Sequence, residues 1–510
     1  MSRTLKTIKN MSVGVISQVA SLLVSFIMAS LFARTLGGEY LGANSLFANV
    51  VAILAFSELG IGNAVAFSLY EPLHLKQWDR VSAIMNFFKK FYVIVGISIF
   101  LLSIVLTPFV HHFVKGQSIP HLGAYFFLYT LNTVVSYFLS YKRTLFIADQ
   151  KSFVNDFNTM VTKVGIAIFQ VGFLLLHSFL GFLIIQIVGT FISNLVISRR
   201  ANRDYGHVFD NSHVQMNAFD KALIKNSTIG VIGQKIGGII VLDTNNLLVS
   251  GFVGLFTTAI YTGYMTLLSG AQQIIIQLLN SMTASLGEIN ATHDNNKMEL
   301  WLKRHAFLSW TVGFFSFVYF IAFATPFMKV WLGSRYSFGF SIVFWMALNF
   351  YIQQTRQTFL SFIQAQGLFG KVGTKSIVEA ALNLALTLFF VMYLKMGVLG
   401  VVLGTTLVHF LLNIWFEPWV VYRFGFKKSL PTVYFLTYYL KMMYTVVVGI
   451  ASYWISVNWI MQGNLAGRTL GFMSAIVLGI VTYVIVAVKD ANFKFWYSFA
   501  MKLVNKIIGK

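Results

Sequence analysis

The chain has 510 residues, of which 57% are hydrophobic, 16% aromatic and only 11% charged. A soluble globular domain carries about one quarter charged residues, so this composition excludes that class. Cysteine is absent, which excludes disulfides, thiolate catalysis and cysteine-type metal sites.

Stretches of about 20 apolar residues, which a helix needs to cross about 30 Å of hydrocarbon, recur along the whole chain. We therefore predict an all-α polytopic membrane protein with about fourteen transmembrane helices. The first six predicted spans lie near 11–34, 41–70, 86–109, 122–147, 157–178 and 180–198. After a polar segment, the other eight lie near 226–249, 257–287, 305–332, 340–366, 374–394, 398–422, 437–458 and 468–488.

The distribution of lysine and arginine predicts the orientation of these spans, because cytoplasmic loops retain positive charge. With both termini cytosolic, 29 of the 38 basic residues lie on the cytosolic side and six on the outside. The net charge of +22 then reflects membrane insertion and contact with anionic lipids, so we expect no nucleic-acid partner. These observations predict a multi-pass protein of the cytoplasmic membrane.

Two sequence matches at nearly the same offset indicate an internal duplication. Thr107-Pro108-Phe109 and Thr325-Pro326-Phe327 lie 218 positions apart, and IADQKSF (147–153) corresponds to IQAQGLFGK (363–371). Six helices return the chain to its starting side, so the two halves would have the same orientation. The predicted parts are two six-helix lobes at 1–198 and 226–422, a cytosolic linker at 199–225, two additional helices at 423–488 and a basic amphipathic cytosolic tail at 489–510.

Two pairs of segments resemble the signatures of a known family. ARTLGGEYLGANSLFANVV (33–51) and SELGIGNAVAFSLYEPL (57–73) are similar to the N-terminal signature of bacterial polysaccharide repeat-unit flippases of the Wzx type. In the second half, VLDTNNLLVSGFVGLFTTAIYTGY (241–264) and TASLGEINA (283–291) resemble the matching segments. These flippases belong to the multidrug, oligosaccharidyl-lipid and polysaccharide exporter superfamily.

The resemblance implies a transporter with no enzymatic activity and no resident cofactor. Its two lobes would enclose a central cavity that opens alternately to each side of the membrane. The implied substrate is an undecaprenyl-diphosphate-linked oligosaccharide, which is moved to the outer leaflet for capsule or exopolysaccharide synthesis. We expect a monomer that associates with the polymerase and glycosyltransferases of the same pathway.

Transport of such a substrate requires cationic and polar groups inside the helix bundle, because a diphosphate cannot cross hydrocarbon unaided. Lys235 and Arg356 lie deep in predicted spans, where ionisable groups are functional candidates. Arg356 is suited to bidentate contact with phosphate oxygens, and Gln354 beside it offers an amide to sugar hydroxyls. The alternatives are an internal ion pair for either cation, such as Lys235 with Asp243, and bonding of Gln354 to a neighbouring helix.

Arg34 and Lys163 are two further substrate-binding candidates, and both lie near the ends of predicted helices. Arg34 also falls within the N-terminal signature. The alternative, which the position near a helix end favours, is that both side chains extend to the membrane interface.

Asp243 lies at the predicted middle of the bilayer, where a carboxylate costs at least about 2.5 kcal/mol. Glu379 and Asn383 lie four residues apart on one helix face, and Thr405 follows on the next helix. The oxygens of these four side chains suit Na⁺, or a proton held by a carboxylate, as a coupling ion for an antiporter. The resemblance adds that the peptidoglycan-precursor branch is associated with a comparable sodium site, although the Glu-then-Asn order differs. The alternative is a hydrogen-bonded packing role for Asp243.

Glu58, Gly60 and Gly62 belong to the N-terminal signature. Glycine permits close approach of helices, so we interpret these three residues as packing or gating residues. The histidines show no paired ligand spacing, and we expect no metal site.

Three other functions compete with repeat-unit flipping. A lipid II flippase has the same helix count, and a multidrug exporter of the superfamily would favour an acidic or aromatic pocket over Lys235 and Arg356. A membrane glycosyltransferase or polymerase would be expected to carry catalytic groups in a sizeable external loop, whereas all predicted external loops are short.

The predicted topology can be tested with reporter fusions. Fusions after Lys510 and within 205–220 should report a cytosolic location, and a fusion within 116–120 should report an external one. An external C-terminus would contradict the predicted number of spans.

Overall fold

The computed structural model describes residues 3–55, 61–114, 119–210, 214–218, 220–222, 224, 244–291, 294–460 and 464–508. All regular secondary structure in these ranges is helical, which confirms the all-α prediction. Lys235, Asp243, Glu58 and Gly60 lie outside the described residues.

We number nine helices in the described ranges of the first half, where residues 218, 220–222 and 224 are also helical. They are α1 Arg3–Thr35, α2 Gly38–Leu54, α3 Ile61–His74, α4 Trp78–Leu106, α5 Leu122–Tyr137, α6 Arg143–Ala148, α7 Ser152–Leu175, α8 Phe179–Asp210 and a helical segment at 244–252, which we name α9. A 3₁₀ segment, Thr107–Phe113, extends α4. The helix α8 passes the predicted end of its span at 198 and has a kink at Tyr205.

The second half continues with nine helices in its described ranges. They are α10 Leu255–Ala291, α11 Asn295–Trp331, α12 Phe340–Ala365, α13 Phe369–Leu388, α14 Val398–Val408, α15 Ile414–Val420, α16 Thr432–Ile455, α17 Leu465–Ala487 and α18 Ala491–Ile508. Wide π-helical turns follow four of them, at Phe389–Tyr393, His409–Asn413, Val421–Gly425 and Ser456–Ile460.

The protein is a multi-pass membrane protein. Within the described ranges, nine helices are long and apolar enough to cross a membrane, and the bent pair Leu122–Tyr137 and Ser140–Ala148 forms a tenth span if counted as one. The predicted span 226–249 lies mostly outside the described residues. The described residues of three other predicted spans contain no such helix, namely 41–70, 257–287 and 340–366. In the last of these, α12 carries Gln353, Gln354 and Arg356, which reduce its apolar character.

The chain separates into two compact units, Met1–Thr262 and Gly263–Lys510. The helix α10 begins in the first unit and ends in the second. The unit boundary lies after the predicted linker at 199–225, and the five-part division proposed from the sequence stays a prediction.

In the first unit, α5 and α6 bend by 46° where the chain passes through Leu139 at a positive φ of 69°. The side-chain amide of Asn194 on α8 donates to the carbonyl oxygens of Val135, Ser136 and Phe138 at 3.1–3.2 Å. These bonds satisfy carbonyls that the helix break leaves without intrahelical partners. The break places Arg143 at the start of α6, inside the bundle.

In the second unit, α13 and α14 pack closely because α14 presents Gly400 and Gly404 to α13. A Cβ atom at Gly404 would lie 2.6 Å from the Thr387 hydroxyl oxygen and 2.9 Å from its backbone nitrogen. A Cβ atom at Gly400 would lie 2.9 Å from Cβ of Phe390. Small residues four apart allow two membrane helices to approach each other in this way. This contact brings the polar residues of α13 and α14 together.

Substitution of Gly404 tests this close contact. Gly404→Ala should destabilise the protein by about 1–3 kcal/mol, because the added methyl group overlaps backbone atoms of α13. Thermal unfolding of the purified protein in detergent measures the effect. Gly373→Ala is the matched control, since no atom lies within 4 Å of a Cβ at that position of α13. Equal stability of the two variants would contradict the packing.

Candidate functional site

Four charged side chains of the second unit form one cluster between α12, α13 and α15. The Arg356 guanidinium binds Glu417 in bidentate fashion, with Nε 3.0 Å from Oε2 and Nη2 2.5 Å from Oε1. Its Nη1 lies 3.4 Å from Oε1 of Glu379. The Lys375 ammonium lies 2.6 Å from Oε2 of Glu379 and 2.7 Å from Oε1 of Glu417. The cluster therefore has two cations and two carboxylates, and these charges balance.

This cluster is largely shielded from solvent. The side chains of Glu417 and Lys375 are 2% and 4% exposed, and those of Arg356 and Glu379 are 15% and 14% exposed. A buried charge is tolerated when it is paired and its remaining hydrogen bonds are satisfied. Mutual pairing therefore explains how four ionisable groups are held in the interior of the unit.

The cluster belongs to a longer row of polar contacts, which we call the polar ladder. On α13, Lys375, Glu379 and Asn383 lie four residues apart and therefore share one face. The opposite helix carries Thr405, His409, Asn413 and Glu417 at the same spacing. The pairs along the ladder are Asn383 with Thr405 at 3.0 Å, Glu379 with Asn413 at 2.6 Å, and Lys375 with Glu417 at 2.7 Å.

His409 lies in the middle of the polar ladder, within the π-helical turn His409–Asn413. Its Nδ1 lies 2.6 Å from the side-chain nitrogen of Asn413 and 3.3 Å from Nη1 of Arg356. Both neighbours are donors, which assigns Nδ1 as an acceptor and the ring proton to Nε2. His409 is therefore neutral in this arrangement.

Three of the four residues predicted for cation coupling lie on the polar ladder. Asn383 and Thr405 contact each other, and Glu379 lies one turn away on α13, where Lys375, Arg356 and Asn413 contact its carboxylate. Asp243 is outside the described residues. The coupling role of this set stays a prediction.

The predicted substrate-binding residues of the second unit are engaged within the protein. Arg356 is held by Glu417 and Glu379, so a phosphate would have to compete with these carboxylates. Gln354 is fully buried on α12 and donates to the side-chain oxygen of Gln272 on α10. In this structure Gln354 therefore bonds a neighbouring helix, which is the alternative given above. Its role in sugar binding stays a prediction.

The interior cations of the first unit have a different environment. Lys142 is 6% exposed and donates to the side-chain oxygen of Asn202 at 2.6 Å, with its ammonium 4.5 Å from the ring centre of Phe209. Arg143 donates to Ser193 at 2.9 Å and to Thr159 and Asn194 at 3.3 Å. Both cations contact neutral oxygens and form no ion pair with a carboxylate of the described chain.

Lys163 lies on α7, one helical turn after Thr159, and its ammonium is 3.4 Å from the hydroxyl of Ser25 and 3.5 Å from the carbonyl oxygen of Ser21 on α1. It too forms no ion pair with a described carboxylate. Lys163 is exposed, whereas Lys142 is buried and Arg143 is partly buried. We use the name basic cluster for these three cations of the segment 142–163, which have no negative partner in the described part of the unit.

The remaining predicted residues lie in the first unit. Arg34 is exposed near the end of α1. A Cβ atom at Gly62 would lie 3.8 Å from the Tyr92 hydroxyl oxygen, which is ordinary van der Waals contact. Close helix approach therefore does not require glycine at position 62 in this structure.

Four residues of the polar ladder were not predicted from the sequence, namely Lys375, His409, Asn413 and Glu417. Three of them, His409, Asn413 and Glu417, follow Thr405 at a spacing of four residues. This spacing predicts that they share one face of the predicted span 398–422. Their pairing with α13 could not be inferred from the spacing, because it depends on the close packing of the two helices.

A cavity of about 450 Å³ lies between α11, α12 and α16. Aromatic side chains that include Tyr438 line it, together with the charged residues Glu299, Lys303, Lys441 and Asp490. Thr355, which precedes Arg356 on α12, also lines the cavity, and its hydroxyl is 3.4 Å from that of Tyr438. The helix that carries Arg356, α12, therefore forms part of the cavity wall.

The chain has the same fold as several solved transporters, the first of which is described as a member of the MOP superfamily. The chain is similar to an inward-facing multidrug resistance transporter of the MATE family, with a TM-score of 0.64 and 14% identity over 82% of this chain and 98% of that one. It is also similar to the lipid II flippase MurJ in an inward closed conformation, with a TM-score of 0.61 and 14% identity over 94% of this chain and 98% of that one.

The MATE transporter VcmN of Vibrio cholerae, in a variant form, is a third similar structure, with a TM-score of 0.56 and 12% identity over 85% of this chain and 99% of that one. No family model matches the sequence, and no curated protein matches it. The fold is therefore established by structural similarity, at identities that leave the substrate open.

The pairing in the cluster can be tested with a double-mutant cycle. Glu417→Gln and Arg356→Gln should each destabilise the protein by about 3–5 kcal/mol, because each leaves buried charge unbalanced. The double variant should recover most of this loss, because both charges are gone. Thermal unfolding in detergent measures all three variants.

The matched control for this cycle is Lys428→Gln, which breaks the half-exposed pair of Lys428 with Glu299. A half-exposed pair contributes at most about 1 kcal/mol. Additive losses in the Arg356 and Glu417 double variant would show that the two side chains do not stabilise each other.

Proposed function

We propose that the protein is a flippase that moves an undecaprenyl-diphosphate-linked oligosaccharide across the cytoplasmic membrane for capsule or exopolysaccharide synthesis. The observation that carries the proposal is the basic cluster. Its three cations, Lys142, Arg143 and Lys163, contact neutral oxygens and form no ion pair with a described carboxylate. Cations that have no carboxylate partner in a bundle of membrane helices favour the binding of an anionic substrate.

The electrostatics of the basic cluster favour a diphosphate over a cationic drug. A positive charge attracts an anion more strongly in a bundle than in water, because the surroundings have a lower dielectric constant. The same field repels a cation. Arg143 can form bidentate contacts with phosphate oxygens, whereas Lys163 acts as a point charge. The hydroxyls and amides around Arg143 are suited to bonds with sugar hydroxyls.

A lipid II flippase is the second candidate function. The MurJ structure matches 94% of this chain, against 82% for the first MATE structure. Lipid II is also an undecaprenyl-diphosphate carrier with an attached saccharide, so the basic cluster would serve it equally well. The resemblance of the signatures to repeat-unit flippases favours the polymer precursor as the main candidate.

Flipping assays in proteoliposomes test the proposal. Arg143→Gln and Lys163→Gln should each slow the flipping of undecaprenyl-diphosphate-linked oligosaccharide about tenfold, which corresponds to ~1.4 kcal/mol of lost interaction. The melting temperature should stay close to that of the wild type, because no carboxylate loses its partner. Lipid II and a cationic dye, offered to the same vesicles, distinguish the other two functions.

Arg203→Gln is the matched control, because it removes one positive charge of the same unit from a side chain that is 72% exposed. It should flip at the wild-type rate. Wild-type rates in the Arg143→Gln, Lys163→Gln double variant would exclude the basic cluster as the anion path. Transport of the dye without transport of either lipid would identify a multidrug exporter.

A further inference from the structure

The Lys375 ammonium occupies a position that two carboxylates share. It lies 2.6 Å from Oε2 of Glu379 and 2.7 Å from Oε1 of Glu417, and its side chain is only 4% exposed. Lys375 extends from α13, one turn before Glu379, so one flexible side chain delivers the charge to a point between two helices. An ammonium group is a compact point charge, comparable in its demands to a monovalent cation.

Arg356 has a different role in the same cluster. Its planar guanidinium binds Glu417 through two nitrogens and reaches Glu379 only at 3.4 Å. Oε2 of Glu379 faces Lys375, whereas Oε1 of the same carboxylate faces Asn413 and Arg356. Removal of the ammonium would therefore leave Oε2 of Glu379 and Oε1 of Glu417 facing one vacated position.

We infer that Lys375 is a tethered counter-ion, which fills a monovalent-cation site formed by Glu379 and Glu417. While Lys375 is in place, two cations balance two carboxylates and His409 is neutral, so the site needs no free ion. Without Lys375, the cluster carries one excess negative charge in a buried position, and a small cation from solution restores the balance. The inference concerns ion binding by the purified protein and is independent of the transported substrate.

The test is the melting temperature of the purified full-length protein in detergent at pH 8, in increasing NaCl against choline chloride of the same concentration. Lys375→Gln should melt below the wild type in choline chloride. In NaCl at about 100 times the dissociation constant, Na⁺ should raise its melting temperature by about 3 °C relative to choline. The Na⁺-specific shift of the wild type should be smaller, because the ammonium already fills the site.

Two further variants make the outcome decisive. Lys375→Gln with Glu379→Gln has balanced charges again, so it should fold and show no Na⁺-specific shift beyond that of the wild type. Lys371→Gln, one turn earlier on α13, removes an exposed lysine that lies over the Phe424 ring and should behave like the wild type.

The inference is overturned if the Na⁺-specific shift of Lys375→Gln does not exceed that of the wild type. If Lys375→Gln alone is not recovered, recovery of the double variant supports charge balance as the role of Lys375. Failure of both variants to fold would instead assign Lys375 a packing role and overturn the inference.

Discussion

Charge balance in a medium of low dielectric constant is the constraint on which the structure of the second unit depends. A charged side chain loses its hydration when it enters a helix bundle, and only an opposite charge with good hydrogen-bond geometry compensates for that loss. Arg356, Lys375, Glu379 and Glu417 meet this condition as a group of four. The charge of each residue is stabilised in the interior by the other three. The ion pairs among them hold α12, α13 and α15 together.

The two units meet the same constraint in different ways. In the second unit, cations and carboxylates cancel each other within a few ångströms. In the described part of the first unit, Lys142, Arg143 and Lys163 contact amide, hydroxyl and carbonyl oxygens, which stabilise a cation without neutralising it. A balanced cluster holds its helices together, whereas cations without a carboxylate partner retain affinity for an anion. This contrast is the physical basis for the proposal that an anionic substrate binds in the first unit.

The all-α fold and ten of the spans could be predicted from the sequence, because the length and apolar character of a helix are local properties. The polar ladder could be predicted only in part. Glu379, Asn383 and Thr405 stand out because polar residues are conspicuous in apolar spans, whereas Glu417 lies near the end of its predicted span, where a charge is ordinary. An internal ion pair for Arg356 can be expected from its depth, but its partners cannot be named, because Glu379 and Glu417 lie on other helices whose packing the sequence does not give.

The polar ladder also makes the two axial directions of α13 electrostatically unequal. The helices are antiparallel, and Lys375 and Glu379 lie four residues apart opposite Glu417 and Asn413, so a shift of one turn would give both residues a new partner. A shift in one direction would bring Glu379 opposite Glu417, where like charges repel. A shift in the other direction would bring Lys371 opposite Glu417 and Lys375 opposite Asn413, which retains a cation for the carboxylate. The charges of the ladder therefore oppose a displacement of α13 more strongly in one direction than in the other.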